Sequence, residues 1–226
     1  MQEADIEKLA ACSAIFAPES LYHKPQDARD TDAAMVVDSH KSIDLDAHCT
    51  WVTVENLSRG LCAGSRPHFF RGVCTIVCKL FNIVDPDMAF FGKKDYQQWR
   101  VLERMARDLD FDIEIVGVPI FREPDGLAMS SRNLLLTSEN RQNALSIYRA
   151  LSKAKNNRTS IRDISVSKIK EEVAMEIIAA GGKIDYVELV NSKSLAPVGS
   201  VESDQPMLVA VAAFFGSVRL IDNIEI

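Results

Sequence analysis

A chain of 226 residues, 47% hydrophobic and 26% charged, is long enough for one large globular domain or two small ones. Its formal net charge of −6 argues against nucleic acid as a bulk partner, and no apolar stretch nears the roughly 18 residues of a membrane span. The acidic opening MQEADIEKLA is unlike a signal peptide, so the cytoplasm is the expected compartment.

In chain order, DIEKLAACSAIFAP reads as the tail of a helix running into a short strand, Ala14 to Ala17, stopped by Pro18. Tyr22 to Cys49 is polar, aspartate-rich and without periodicity, a long surface loop. His40, Asp44, Asp46 and His48 invite a metal cluster, but a loop of this composition is better read as solvated. TWVTVENL alternates and is β-branched, which predicts a strand. Phe70 to Val84 predicts a mostly buried helix, with Cys74 and Cys78 on one face as small core residues. DMAFFG is a short apolar strand. Asp95 to Leu109 is an amphipathic helix whose apolar face carries Trp99, Leu102, Met105, Ala106 and Leu109, and DIEIVGVP is a further strand. Helix and strand alternating over short connections imply parallel pairing in a doubly wound α/β sheet.

The texture changes after Pro119. Ser138 to Lys155 and about Ser167 to Ala180 predict helices, the second ended by Gly181-Gly182. DYVELV, PMLVAVAAFF and SVRLIDNI predict strands, the last two joined by a tight turn at Gly216. Two helices on a small, mostly antiparallel sheet make a separate α+β domain. The expected division is 1–120 and 121–226.

Charge is distributed unevenly. Between Arg59 and Arg107 nine basic residues face four acidic ones, a local excess of five positive charges within an acidic protein. FFGKKDYQQW (Phe90 to Trp99) places Gly92, Lys93, Lys94 and Asp95 where an open parallel sheet binds ligands, beyond the carboxyl end of a strand. The following helix N-terminus and two lysines suit phosphate. Asp95-x-x-Gln98 reads equally well as a capping box. REPDGLAMSSRN (Arg122 to Asn133) offers a Pro-Asp-Gly turn followed by Ser130, Ser131 and Arg132, two hydroxyls and a planar guanidinium fit for phosphate oxygens. A surface turn with a helix cap is the alternative. In SRPHFFRG, Arg66 and Arg71 flank an aromatic segment. No HExxH, HxGH or Ser–His–Asp order occurs, and His23, His40, His48 and His68 show no catalytic spacing.

In this order and spacing FFGKKDYQQW, DIEIVGVP and REPDGLAMSSRN resemble the pantothenate synthetase family, the ATP-dependent pantoate–β-alanine ligases. SRPHFFRGV, KLFNIVDPD and FFGSVRLIDNIEI are similar to the plant form. The resemblance implies an incomplete Rossmann-like, nucleotidyltransferase-type sheet over 1–120, followed by an α+β lid. It implies condensation of pantoate with β-alanine through a pantoyl adenylate, with ATP and Mg2+, in a homodimer. Gly92, Lys93, Lys94, Asp95, Phe121, Met129, Ser130, Ser131 and Arg132 would bind ATP, Lys94 and Arg132 as phosphate stabilisers. Gln98 and Arg66 would meet the other substrate, and no protein-held metal is expected. The family's first strand, its HxGH motif and a glutamine shared by both substrates have no counterpart in these residues. The expectation is therefore a chain lacking roughly the first third of the fold and weakly active alone. A nucleotidyltransferase that stops at the nucleotidyl product, and a non-catalytic nucleotide-binding or dimer-forming remnant, are the rival readings.

Overall fold

The computed structural model describes residues 12–16, 48–62, 68–160, 165–200 and 205–226, in two units that divide after Trp51. In the first unit, residues 12–16 and 48–51 belong to no helix or strand. The strand expected at Ala14 is absent from residues 14–16, where Ile15 and Phe16 are exposed and no ladder pairs them. The helix tail before it, and the Tyr22–Cys49 loop up to residue 47, lie outside the described residues.

The second unit, Val52–Ile226, carries two sheets. Helix α1 (Phe69–Val84) buries Phe70, Cys74, Val77 and Phe81, a stripe at helical spacing. It ends where Asp85 turns into the left-handed region at φ 48° and returns its N–H to Phe81 O; Pro86 then forbids continuation. Strand β1 (Met88–Gly92) leads through a 3₁₀ turn, Lys93–Asp95, into α2 (Tyr96–Asp108). Strand β2 (Glu114–Val118) pairs with β1 in parallel, Met88 opposite Glu114 and Gly92 opposite Val118. Leu102, Met105 and Ala106 of the expected apolar face pack on α1, joined by Val101, whereas Trp99 packs with Tyr96 in a separate cluster and Leu109 stays exposed.

TWVTVENL is not a strand: residues 50–54 join no ladder and residues 55–58 form a turn. The Val52 N–H goes instead to Thr75 Oγ1 at 2.9 Å, a hydroxyl that itself donates to Arg71 O. The alternation is real but serves packing, since Val52, Val54 and Leu57 lie on the α1–α2 core.

The helix expected over Ser138–Lys155 is two, α3 (Ser138–Asn143) and α4 (Leu145–Ser160). Near the break the buried Ser146 hydroxyl donates to Asn143 O at 2.7 Å, a side chain competing with the backbone for its carbonyl. Helix α5 (Val166–Ala179) follows, then the antiparallel sheet β3 (Lys183–Asn191), β4 (Met207–Phe215) and β5 (Val218–Glu225), with β4 central. The run MLVAVAAFF is apolar throughout because both faces of β4 are covered. Met207, Val209, Val211, Ala213 and Phe215 meet α4 and α5, whereas Leu208 and Ala210 meet Tyr96 of α2. This second face joins the two sheets and sets the distance between the loops above them. A two-residue turn with Gly216 at φ 60° connects β4 to β5, Phe215 opposite Val218. No helix among the described residues is long and apolar enough to cross a membrane.

Candidate active site

Beyond the carboxyl end of β1, Gly92 sits in ordinary extended backbone (φ −68°, ψ 128°), with open space where a Cβ would project. Asp95 occupies the N-cap position of α2 yet makes no capping hydrogen bond; its carboxylate faces Lys94 Nζ at 3.3 Å. The capping-box alternative is thus not what this turn builds. The two lysines diverge. Lys93 Nζ lies 3.4 Å from Glu225 Oε1 and 4.8 Å from the centroid of the Trp99 ring, whereas Lys94 and Asp95 line a cleft.

The other wall of the cleft comes from the Pro-Asp-Gly segment. Gly126, at φ 98°, turns a short hairpin in which Arg122 bridges Ala128. Tyr148 fills the space beside it, so a Cβ at Gly126 would lie 2.2 Å from the ring. The hairpin delivers Ser130, whose hydroxyl accepts the Arg132 N–H, and a 3₁₀ turn from Ser131 to Leu135. Ser130, Ser131 and Arg132 line the same cleft as Lys94 and Asp95, across a volume of about 240 Å³. Gln98 lines an adjoining recess with Lys94 and Asp95. Phe121 and Met129 are not among the lining residues of either; they are exposed, and the Met129 N–H donates to Phe121 O at 2.9 Å. Arg66 lies outside the described residues.

Strand β5 forms the floor. Asp222 is 4% exposed and accepts both arms of the Arg122 guanidinium, at 2.7 and 2.9 Å. Burial pushes the Asp222 carboxyl above the ordinary carboxylate value, while Arg122 pulls the other way; desolvation wins. The Asn223 amide donates to Lys93 O at 2.9 Å and Lys94 O at 3.0 Å. Arg219, a third cation on the cleft, holds Asp185 at 2.7 and 3.0 Å. Burial works against its charge, but Asp185 keeps it firmly protonated. The Arg219 carbonyl accepts from Arg132 at 3.3 Å. Buried Tyr96 gives its hydroxyl proton to Glu225 at 2.8 Å, and its ionisation is pushed far up, first by burial and then by that carboxylate.

With Asp222 committed to Arg122 and Arg219 to Asp185, what faces the cleft is two serine hydroxyls, Lys94, Arg132 and the Asp95 carboxylate. That set suits a polyanion with hydroxyl-bearing substituents. Sequence reasoning found these groups but not their supports. Gln97, 5% exposed, spreads its amide N–H groups over Leu57 O, Arg59 O and Gly60 O and accepts from Cys62 N. The polar pair Asp222-Asn223 inside the apolar alternation of SVRLIDNIEI was the signal for the floor. Nothing comparable marks Gln97, which sits beside Gln98 in a polar helix turn.

A parallel βα unit joined to a small antiparallel sheet, with two anion-suited loops across one cleft, is the nucleotidyltransferase-like architecture of the pantothenate synthetases. The pantothenate synthetase from Thermus thermophilus superimposes with a TM-score of 0.72 at 39% identity, over 78% of this chain and 63% of that one. The pantoate–β-alanine ligase from Francisella tularensis, solved with β,γ-ATP and β-alanine, gives 0.59 at 30% identity over 80% and 59%. The family model "Pantoate-beta-alanine ligase" matches residues 1–225, and the chain belongs to that family. A pantoate–β-alanine ligase of Oryza sativa subsp. japonica is 50% identical over 225 residues, 98% of this chain and 71% of the rice protein. The chain thus spans 59% to 71% of the length of these three proteins.

Proposed function

We propose that the cleft binds ATP and serves the condensation of pantoate with β-alanine to pantothenate, a step of coenzyme A biosynthesis, in a cytoplasmic homodimer. The observation that carries this reading is the convergence of Lys94 and Asp95 with Ser130, Ser131 and Arg132 on one cleft, although 35 or more residues separate them in sequence. The pantoate carboxylate attacks the α-phosphorus of ATP; the bond to the bridging oxygen breaks and pyrophosphate departs. The β-alanine amine then attacks the acyl carbon of pantoyl adenylate, losing a proton as AMP leaves. Lys94 and Arg132 neutralise charge on the phosphates as it shifts to the leaving group, and the serine hydroxyls hold their oxygens. Gln98 in the adjoining recess orients pantoate, so that carboxylate and phosphorus meet in line. Gly92 and Lys93 shape the loop, Asp95 reaches toward the ribose, and Phe121 and Met129 approach the adenine and phosphates from the lid.

Mg2+ fits as an ion carried by phosphate oxygens, with Asp95, which faces Lys94, the carboxylate of the cleft wall that no arginine holds. Bound there, it would offset phosphate charge. The division at residue 120, the boundary between nucleotide-binding sheet and lid, belongs to the same proposal.

The test is to supply ATP, Mg2+, pantoate and β-alanine and follow both products. One pantothenate per AMP is expected. AMP formed without consumption of β-alanine would support a nucleotidyltransferase. ATP binding with no turnover at all would support the non-catalytic reading, and no ATP binding would remove the proposal.

A further inference from the structure

Both walls of the cleft are anchored on one dipeptide. Strand alternation places Asp222 and Asn223 on opposite faces of β5. Asp222 takes Arg122, at the foot of the hairpin that ends in Ser130. Asn223, 6% exposed, gives its two amide hydrogens to consecutive carbonyls of the lysine turn. Two residues on, on the same face, Glu225 accepts from Tyr96 and Lys93.

We infer that Asn223 is a positioning residue for Lys94: by fixing the peptide units of Lys93 and Lys94 against β5, it aims the Lys94 ammonium into the cleft and turns Lys93 away. This rests on the reading of the cleft as a nucleotide site. The chemistry requires an amide. Two carbonyls need two donors, which asparagine supplies and aspartate, nearly identical in shape, does not. A carboxylate here would also face two carbonyl oxygens and compete with the nucleotide for Lys94. A turn held at two adjacent carbonyls has its backbone fixed before ligand arrives, so ordering Lys94 costs little at the moment of binding.

The experiment combines two measurements on Asn223→Asp. Hydrogen exchange of the unliganded protein needs no nucleotide: amides of residues 93–98 should exchange about tenfold faster, with those of β3 and β4 unchanged. Titration with ATP and Mg2+ should show affinity falling roughly tenfold, the loss of about two neutral hydrogen bonds. A double-mutant cycle with Lys94→Ala then separates positioning from general stability. If Asn223 acts through Lys94, the substitution costs nothing further once Lys94 is gone. Additive losses, or unchanged exchange in 93–98, overturn the inference while leaving the nucleotide site standing. Failure of the unsubstituted protein to bind ATP overturns both.

Discussion

Arg122 and Asp222 form a bidentate ion pair, N–O distances 2.7 and 2.9 Å, with both side chains largely removed from solvent. It ties the hairpin to β5 while Arg122 also lies 4.4 Å over the Tyr148 ring. Removing one partner of such a pair strands the other, so Asp222→Ala is expected to cost about 3–5 kcal/mol of stability. Asp222→Asn separates charge from shape. The native carboxyl titrates above the ordinary value of 3.8 because burial outweighs Arg122. As pH falls toward 3.8 the folded protein therefore binds a proton that the unfolded chain has released, and this group increasingly favours folding. Denaturant midpoints followed as pH falls from neutral toward 3.8 should show the unsubstituted protein gaining on Asp222→Asn. A constant difference between them would refute the assignment.

The divergence of the lysines makes a sharper statement about the cleft. Lys94 lines it, while Lys93 is held by Glu225 and Trp99. Lys94→Ala is expected to lower AMP release on the order of a hundredfold, the scale of losing one preorganised charge contact. Lys93→Ala should change it less than about threefold, because the Lys93–Glu225 pair is partly exposed and such pairs are weak. Steady-state assay of both variants decides. Equal losses would mean that both ammonium groups reach the phosphates.

Much of this arrangement was legible because each element obeys a local rule. Phe69–Val84 and Tyr96–Asp108 carry single apolar stripes, and MLVAVAAFF, with its two-residue Gly216 turn, announces a central strand. The loops at Gly92–Asp95 and Ser130–Arg132 were recognisable from charge beside turn residues. Misreadings came where a side chain overrode the backbone pattern. Thr75 takes the Val52 N–H that a strand partner would have taken, and Ser146 interrupts Ser138–Lys155. The supports of the site were illegible for a different reason. Gln97, Asp222 and Asn223 work by contacts 35 or more residues distant, and no local spacing encodes those.

Gly117 makes a shorter-range contact that local spacing does not mark either. It lies in β2 opposite Phe91, and a Cβ there would lie 2.6 and 2.7 Å from Trp99 ring carbons and 2.9 Å from the Lys93 side chain. Trp99 is itself hemmed by Tyr96 edge-on at 5.1 Å and by Arg100. The ring has little room to yield, so Gly117→Ala should destabilise by about 1–3 kcal/mol through overpacking. Thermal melting measures the loss, and Trp99 fluorescence should shift with it. An unaltered melt would show that the ring moves freely.

Gln97 provides the last prediction. Its amide spans three carbonyls of the Leu57–Gly60 turn while its oxygen takes the Cys62 N–H, all at 2.9 to 3.3 Å. That segment has no helix or sheet ladder to hold it, so one buried side chain replaces the missing backbone partners. Gln97→Ala leaves the Cys62 N–H and the carbonyls to find water or remain unpaired, a loss of about 2–3 kcal/mol. Gln97→Glu keeps the acceptor for Cys62 but turns a carboxylate oxygen toward three carbonyls, and should be at least as damaging. The effect should be local first. Limited proteolysis is expected to open the chain near Arg59 in both variants well below the temperature at which β4 unfolds. Cleavage at Arg59 no faster than in the unsubstituted protein would mean that packing of Leu57 and Leu61, not Gln97, holds this turn.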